Sequence, residues 1–395
     1  MIQCSRKLSL LPPYIFSRIH DLTLKAYKEK KDVIDLSMGN PDMPTPKSVT
    51  ERLCDTVLHH RRTHRYPQAK GMPKFRSTVA RWVHKRFGVE LDPEHEVLAL
   101  IGSKEGGAHF LMAYLNPGDT VLVPDPSYPV HFNGVLLAGG NVETMPLIPE
   151  RGYKPDLSSI HPETARKAKI MILNYPNNPT TGIVEDPGFF RDVVAFAKEY
   201  NILVCHDNAY SEITFDGYRA PSFLEVPGAR DVGIEFHSFS KTFSMAGWRV
   251  GFAIGSAELL APVTKFKAFV DYGVATFVQL SAVKALLDYD DIVPHIVQTY
   301  QRRRDRLVKG LQNLGWNIAK PKATMYVWAS IPQEYHMDSL SFSEQLLKDT
   351  GVVVTPGIGF GPGGEGMVRF ALVTHDNRFH DALLRIKKWS KKIIG

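Results

Sequence analysis

Short apolar runs recur along the first two thirds of the chain, and each run ends in a turn rich in glycine, proline or hydroxyl side chains. Segments with a helical period separate these runs, so predicted strands alternate with predicted helices. Such alternation is typical of a mostly parallel sheet with helices packed on its faces. The predicted strands end near seven positions: Ile101, Val123, Thr144, Leu173, His206, Ser238 and Ala253.

The pattern changes after Asp288. The run 292–314 has the period of a long helix, and a second helix is predicted near 342–349. Two further apolar runs, at 325–330 and 367–372, predict strands. This mixture predicts a smaller α+β layer beside the parallel sheet.

These two patterns predict two domains and an α/β fold class. The large domain covers residues 46–288 and holds a mostly parallel, seven-stranded sheet. The small domain combines residues 1–45, which include an N-terminal arm, with residues 289–395. The chain is long enough for both domains to form substantial hydrophobic cores.

The net charge of +7 is spread along the chain. The one dense basic stretch, at 302–306, falls on the predicted long helix. A solvated helix face is the expected explanation, and no nucleic-acid partner is predicted. A modest positive field also suits substrates that carry carboxylate or phosphate groups.

The three cysteines, Cys4, Cys54 and Cys205, are too few for a disulfide framework and indicate a reducing compartment. No His and Cys residues have the spacing of a zinc site, so no metal is predicted. No apolar run approaches membrane-spanning length, and the first residues are too basic for a secretory signal. We therefore expect a soluble, cytoplasmic protein that makes no contact with a membrane.

Lys241 is the first candidate for covalent chemistry, because it follows a predicted strand and a turn that contains Ser238. A lysine that attacks a carbonyl must lose its proton near neutral pH. The cation of Arg249 and the flanking aromatic residues would lower its pKa. The alternative is an ordinary surface lysine in a serine-rich loop.

Asp207 ends an apolar strand, and Tyr210 follows three residues later. A carboxylate at the end of a buried strand is costly unless it meets a cation. A protonated pyridine nitrogen would be such a cation, and Tyr210 could then donate a hydrogen bond to an oxygen on the same ring. The alternative is an aspartate that caps the next helix.

Ser103 and Lys104 lie in a glycine-rich turn between a predicted strand and a predicted helix. Backbone N–H groups at a helix N-terminus, a hydroxyl and an ammonium suit a phosphate monoester. The spacing matches neither a nucleotide P-loop nor a dinucleotide fingerprint. A tight turn without a ligand is the alternative.

Two further turns follow strands and carry Tyr128 and Asn178. Prolines in both turns restrict the backbone. Tyr128 offers an aromatic face for stacking, and Asn178 offers a side-chain amide. Each turn alone would be ordinary, but together the five turns supply an amine, an acid, a phosphate cradle, an amide and an aromatic platform.

Over residues 36–370 the chain resembles the fold-type I pyridoxal-phosphate enzymes, and among them the class I and II aminotransferases. The resemblance implies pyridoxal 5'-phosphate as the cofactor. Lys241 would form the Schiff base with it, and Asp207 would contact the pyridine nitrogen. Asn178 and Tyr210 would bind the ring oxygen. Lys241, Asp207 and Tyr210 would be the catalytic residues.

The same resemblance implies further contacts to the cofactor. Tyr128 would stack on the ring. Tyr66 would reach the phosphate held by the neighbouring subunit, so a homodimer with shared active sites is expected. The phosphate site within the subunit would consist of four residues: Ser103, Lys104, Ser238 and Arg249.

For the substrate, the resemblance implies that Arg369 and the backbone of Gly39 bind the α-carboxylate. A guanidinium fork matches a carboxylate better than an ammonium does. Asn178 would also contact the substrate, and Tyr14 would line its side-chain pocket. Gly39 and Arg369 would both belong to the small domain, so its closure would assemble the site and expel water.

The implied reaction is ping-pong transamination between an L-amino acid and a 2-oxo acid, with Lys241 as the general base. The bacterial glutamate–pyruvate (alanine) transaminases are the closest resemblance, so alanine and glutamate with pyruvate and 2-oxoglutarate are expected. The alternatives are LL-diaminopimelate aminotransferase, aspartate aminotransferase, a carbon–sulfur lyase or racemase with the same cofactor, and a catalytically silent regulator.

Two positions depart from the related patterns. The diaminopimelate branch carries an acid where this chain has Ala69, and Lys70 follows it. That acid would bind the distal ammonium of the substrate. Thr181 doubles the threonine before a glycine in the turn of Asn178 and could shift that turn.

Overall fold

The computed structural model of the chain describes residues 4–12 and 15–394. Tyr14, a predicted substrate residue, lies outside the described residues. The strands in chain order are β1 (Ile34–Asp35), β2 (Val97–Leu100), β3 (Thr120–Asp125), β4 (Asn141–Pro146), β5 (Ala168–Asn174), β6 (Leu203–Asp207), β7 (Gly233–Ser238), β8 (Gly251–Gly255), β9 (Tyr326–Ser330), β10 (Val352–Val353), β11 (Thr355–Pro356) and β12 (Met367–Ala371).

Helices fill most of the chain between the strands. In chain order they are α1 (Arg6–Ser9), α2 (Ile15–Lys28), α3 (Lys47–His59), α4 (Pro73–Phe87), α5 (Ser103–Tyr114), α6 (Pro129–Ala138), α7 (Pro162–Lys167), α8 (Gly188–Tyr200), α9 (Phe239–Thr242), α10 (Ala257–Val270), α11 (Thr276–Leu287), α12 (Tyr289–Gln312), α13 (Ser339–Thr350) and α14 (Asp376–Ile394).

A seven-stranded sheet with the order β2-β8-β7-β6-β5-β3-β4 forms the centre of the molecule. Neighbours from β7 to β4 run parallel, whereas β8 runs antiparallel to both β2 and β7. Each predicted strand end lies close to the end of one of these strands. The structure therefore confirms the α/β fold class and its mostly parallel, seven-stranded sheet.

Both faces of this sheet are covered, which explains the continuous apolar sequences of its strands. All residues of β2 and β8 are buried. One apolar core includes Phe75 and Trp82 of α4, and a second includes Phe110 of α5 and Leu260 of α10. The covered faces leave the carboxyl ends of the parallel strands as the open edge of the sheet.

Two smaller sheets join the start of the chain to its last third. β1 pairs in parallel with β10, with Ile34 opposite Val352. β12 lies between β11 and β9 and runs antiparallel to both. The backbone N–H of Ala371 donates to the carbonyl of Leu36 over 2.7 Å. The chain therefore has the composite layer expected of the small domain, and the exact domain boundaries stay a prediction.

The basic stretch on α12 is only partly solvated, so the predicted exposed face is wrong for two of its arginines. Arg303 is 5% exposed and binds both carboxylate oxygens of Asp42, over 2.7 and 2.8 Å. Arg304 is fully buried and donates to Asp216 over 2.7 Å. Both carboxylates come from distant segments, which satisfy the charges that α12 buries.

A second buried charge cluster lies beside α5. Glu105, His109 and Asp271 bring possible metal ligands within 4.8 Å of one another. The ammonium of Lys267 binds both carboxylates, over 3.1 and 3.0 Å, and so supplies the local positive charge.

In the described part of the chain, no helix is long and apolar enough to cross a membrane.

Candidate active site

Two neighbouring strands of the central sheet end at the predicted site. β6 ends at Asp207 and β7 ends at Ser238, and the strands run parallel with Asp207 opposite Phe236. The turns that follow parallel strands meet at one edge of a sheet. A small cavity at this edge is lined by Asp207 together with Ser103 and Lys104. The structure thus brings together residues from separate predicted turns.

Lys241 lies on the short helix α9, directly after β7. The Ser238 hydroxyl caps this helix by accepting a backbone N–H two residues further on. The Lys241 amine donates to the carbonyl of Gly39 over 2.5 Å. Part of the residue is exposed, but burial around the amine lowers the pKa of Lys241, and the Arg369 and Arg249 cations lower it further.

His131 is a side-chain partner of Asp207 that the sequence did not predict. His131 Nε2 lies 3.3 Å from Asp207 Oδ2, and His131 Nδ1 lies 2.7 Å from the hydroxyl of Ser127. The half-buried ring of Tyr128 packs edge-on against His131, 5.9 Å away. The other carboxylate oxygen, Oδ1, is buried and has no hydrogen-bond partner among the described residues. A donor or cation would fit there, because an unpaired buried oxygen is costly.

Arg369 of β12 is 3% exposed, although it carries a charge. One terminal nitrogen donates to Asn178 Oδ1 over 2.6 Å, and the other donates to the carbonyl of Ser37 over 2.8 Å. Its Nε is buried and lacks a partner within residues 4–12 and 15–394. Arg369 therefore joins a turn of the central sheet to the N-terminal segment that contains Gly39.

The turn around Asn178 is held by its own hydrogen bonds. The backbone N–H of Asn178 donates to Asn174 Oδ1 over 2.9 Å, and that of Asn177 donates to Gly182 over 2.8 Å. Thr181 adopts a left-handed backbone with a φ of 60°. Asn178 is buried beside Arg369 in this turn.

Tyr326 is a site residue that the sequence analysis missed. Its hydroxyl lies 3.1 Å from that of Tyr210, and the guanidinium carbon of Arg369 lies 4.1 Å from the centre of its ring. A Cβ atom on Gly39 would overlap the Tyr326 hydroxyl, so this contact requires glycine. The sequence predicted strand β9, and strand geometry puts Tyr326 and Trp328 on one face, but no local pattern shows that this face turns to the site.

The two tyrosines have opposite pKa shifts. Burial raises the pKa of Tyr210 well above its ordinary value, and the neighbouring Tyr326 adds to this effect. Burial also acts to raise the pKa of Tyr326. The cations of Arg369 and Lys241 more than offset it, and the hydrogen bond to Tyr210 helps, so the pKa of Tyr326 is lowered. Tyr210 therefore keeps its proton more firmly than Tyr326 does.

The predicted phosphate cradle lies at the start of α5. Gly102 precedes this helix with a φ of 83°, and Ser103 is its first residue. A Cβ atom on Gly102 would meet the guanidinium of Arg249, which also donates to the carbonyl of Ile101 over 3.4 Å. Arg249 and Lys104 are exposed. Two solvent-exposed cations therefore lie beside the backbone N–H groups of this helix N-terminus.

Tyr66 lies on the exposed side of the molecule. The residue is 89% exposed, and its ring meets the ring of Tyr272 edge-on at 5.8 Å. Phe269 is 85% exposed at the end of α10. Little of Tyr66 therefore touches its own chain, and the structure does not pack it into the site of the same subunit.

The family model described as aminotransferase class I and II matches residues 31–385. The chain belongs to this family. Members of the class I and II aminotransferase family use pyridoxal phosphate, so the predicted family, enzyme class and cofactor are confirmed.

Individual relatives match this aminotransferase over almost its whole length. An LL-diaminopimelate aminotransferase from Moorella thermoacetica is 47% identical and covers 99% of this chain and 100% of the relative. The glutamate-pyruvate aminotransferase AlaC from Escherichia coli is 46% identical, and the match covers 96% of this chain and 92% of AlaC. The substrate-bound BacF structure from Bacillus subtilis has a TM-score of 0.93 at 38% identity, covering 98% of both chains.

Proposed function

We propose that this aminotransferase exchanges an amino group between an L-amino acid and a 2-oxo acid in two half-reactions. One observation carries the proposal. The carboxylate of Asp207 and the amine of Lys241 follow neighbouring strands, and the buried Asp207 Oδ1 has no partner among the described residues. That pairing fits pyridoxal phosphate, which needs an amine for attachment and an acid beside its ring nitrogen.

The cofactor would be held by groups from several turns. Asp207 would receive the ring nitrogen, Tyr210 and Asn178 would bind the ring oxygen, and Tyr128 would cover one face of the ring. When bound, the cofactor supplies an electron sink at the carbon that loses its proton. Four residues would hold the phosphate within the subunit: Ser103, Lys104, Ser238 and Arg249.

Arg369 and Gly39 would bind the substrate carboxylate. Support comes from the buried guanidinium, whose Nε lacks a partner within the described residues. The bonds to Asn178 and Ser37 fix its plane, so it needs little reorganisation on binding. Arg303 anchors the adjacent Asp42, which holds the Gly39 segment in place.

Lys241 would act as the general base that removes the α-proton. Its lowered pKa keeps more of the amine unprotonated near neutral pH than an exposed lysine would have. The Gly39 carbonyl 2.5 Å away fixes the direction of the amine. Because Lys241 and Arg369 contact the same N-terminal segment, proton transfer and carboxylate binding would occur side by side.

We infer that the active form is a homodimer with shared sites. Tyr66 is almost fully exposed, and the phosphate cradle with Arg249 and Lys104 is also open to solvent. An aromatic hydroxyl from a second copy would complete such a cradle. The ring of Tyr272, which meets that of Tyr66, would then be covered by the partner as well.

For the amino donor, the comparisons support LL-diaminopimelate better than the alanine and glutamate predicted from the sequence. Relatives with the name LL-diaminopimelate aminotransferase match at 47–49% identity over 97–99% of this chain. The glutamate-pyruvate relative follows at 46%. LL-Diaminopimelate with 2-oxoglutarate is therefore the first candidate pair.

Alanine and glutamate remain the second candidate because of one local observation. Between Tyr66 and Gly71 the chain has no carboxylate. Lys70 binds Glu94, which also accepts from Arg76 over 2.8 Å. A distal ammonium that enters a closed site needs an acid, and a missing partner typically costs about 3 kcal/mol or more. This segment would not supply that acid.

The two candidates separate in a steady-state comparison of donors against pyruvate and 2-oxoglutarate. The first candidate requires a kcat/KM for LL-diaminopimelate at least equal to that for alanine. The second requires a deficit of about tenfold or more, which is about 1.4 kcal/mol. Pyruvate release from a cysteine-type donor without an acceptor would instead indicate a carbon–sulfur lyase.

Acidic variants test whether the segment around Ala69 and Lys70 can bind the distal ammonium of LL-diaminopimelate. If the second candidate is right, Ala69→Glu or Lys70→Glu should raise the preference for LL-diaminopimelate over alanine by about tenfold. Lys70→Gln is the matched control, because it removes the pair with Glu94 without adding an acid. No gain from either acid would mean that the distal ammonium is bound elsewhere, as the first candidate requires.

A further inference from the structure

Tyr326 occupies a central place between the small sheet and the predicted reaction site. It opens β9, which pairs with β12 so that Arg369 lies opposite Trp328 and Ala371 lies opposite Tyr326. Directly opposed residues point to the same face of a sheet, and so do residues two apart. Tyr326 and Arg369 therefore share one face, which is turned towards Lys241.

The ring of Tyr326 packs against the guanidinium of Arg369. The guanidinium carbon lies 4.1 Å from the centre of this ring and 4.6 Å from the centre of the Phe360 ring. At these distances an aromatic ring face attracts a cation such as the guanidinium. Together with the bonds to Asn178 and Ser37, the two rings leave the guanidinium one orientation.

The hydroxyl of Tyr326 makes a separate set of contacts. It lies 3.1 Å from the Tyr210 hydroxyl, and it fills the space where a side chain on Gly39 would be. The carbonyl of Gly39 is the acceptor for the Lys241 amine. The Tyr326 hydroxyl oxygen therefore contacts two parts of the site. One is Tyr210, in the turn after β6, and the other is the Gly39 segment, which binds Lys241.

We propose that Tyr326 is a positioning residue of the transamination site. Its ring orients the Arg369 guanidinium, and its hydroxyl fixes Tyr210 and the Gly39 segment that directs Lys241. This inference rests on the proposed function and adds a residue that none of the predicted roles includes. The ring governs carboxylate binding, and the hydroxyl governs the proton-transfer step.

Two substitutions separate these roles. Tyr326→Phe removes only the hydroxyl, so kcat should fall about tenfold while KM for the amino acid changes by less than about threefold. Tyr326→Leu also removes the ring, so KM should in addition rise about tenfold, because the guanidinium is no longer held in plane. A merely structural residue would not divide its effects in this way.

A second readout does not depend on turnover. Burial lowers the pKa of Lys241, and so do the nearby arginines, whereas the negative charge of the ionised Tyr326 oxygen opposes them. In protein stripped of cofactor, the pH midpoint for labelling of Lys241 by an amine-reactive reagent should therefore fall in Tyr326→Phe. Peptide mass spectrometry identifies the labelled lysine.

Tyr335→Phe is the matched control. Tyr335 is another buried tyrosine near the small sheet, and its ring stacks on Trp389 rather than on site residues. This variant should keep the wild-type kcat, KM and labelling midpoint. Thermal unfolding of all variants shows whether each one is folded.

The proposal is overturned if Tyr326→Phe matches Tyr335→Phe in kcat and in the labelling midpoint. If Tyr326→Phe does not fold, Tyr210→Phe tests the same hydroxyl pair. Without cofactor, the loss of its bond to Tyr326 should leave the Tyr326 oxygen less ionised and lower the labelling midpoint of Lys241, and an unchanged midpoint would overturn the proposal. Failure of the wild-type protein to bind pyridoxal phosphate or transaminate any donor would reject the proposed function instead. The labelling midpoint of Lys241 still tests the role of Tyr326 in that case.

Discussion

The inner side of the site differs from its outer side in how the polar groups are satisfied. On the inner side, Arg369, Asn178 and Tyr210 are buried and bonded to one another or to neighbours within the chain. Asp207 and Lys241 lie on the same side and are bonded to His131 and to the Gly39 carbonyl. On the outer side, Arg249 and Tyr66 are exposed and face solvent. The inner groups are preorganised within one chain, whereas the outer groups offer an open surface.

This difference predicts different consequences of substitution. Buried donors and acceptors that are already oriented act without reorganisation, so changes on the inner side should mainly lower turnover. Exposed groups on the outer side should mainly affect retention of the phosphate and assembly of subunits. The following experiments test that division.

The largest effect is expected for Lys241→Ala. Loss of the amine removes both the covalent attachment and the general base, so turnover should fall by about 10⁴-fold. The visible absorbance of the bound cofactor should disappear together with its reduction by borohydride onto this peptide. Lys322→Ala, which changes an exposed lysine bound to Glu185, is the control. A reducible adduct that persists on the same peptide would show that the anchor is a different lysine.

Asp207→Ala should have the next largest effect. The ring nitrogen needs its proton most when negative charge develops, so kcat should fall about 10³-fold while the dissociation constant of the cofactor changes far less. Asp231→Ala, at a surface pair with Lys198, serves as the control. Near-normal turnover in Asp207→Ala would remove this carboxylate from the chemistry and break the comparison on its inner side.

On the outer side, Tyr66→Ala should weaken retention of the cofactor and lower activity about tenfold. Mixing Tyr66→Ala with Lys241→Ala subunits sharpens this prediction. Each mixed dimer would have one site with both substitutions and one with neither, so about a quarter of all sites should be native. Activity above that of the two parents is expected after verified exchange. No recovery would argue against shared sites.

The smallest effect concerns stability and pH. The folded chain lowers the pKa of Lys241 below the ordinary value of 10.5, so the unfolded chain binds this proton more readily. The free energy of unfolding should therefore rise with pH between the lowered pKa and 10.5. Lys241→Met has no amine at this position, so its free energy of unfolding lacks this dependence on pH. Chemical denaturation without cofactor should show the wild type gaining on Lys241→Met as pH rises, and a constant difference would contradict the shift.

The comparison of the two sides also explains what the sequence could predict. Asp207 ends an apolar strand, and Ser103 and Lys241 each come three residues after one, so their common edge follows from the alternation of strands and helices. These positions can be predicted from the order of strands, turns and helices along the sequence alone. The fold class could be predicted for the same reason.

Other residues depend on contacts between distant segments and were missed. His131 meets Asp207 across 76 residues of chain, and Tyr326 meets Tyr210 across 116. The buried state of Arg303 and Arg304 was not predicted either, since their partners lie far away in the sequence. A charge pattern on one helix does not reveal which carboxylates will cover it.

The bond from Arg369 to Ser37 spans 332 residues, and this separation has a consequence for synthesis of the chain. The segment with Gly39 leaves the ribosome early, and β12 follows only after the whole central sheet has been made. Closing so long a loop carries an entropic cost that is repaid only when both ends are present. A nascent chain can therefore form the strands that carry the cofactor site before Arg369 is available to complete the site for the substrate carboxylate.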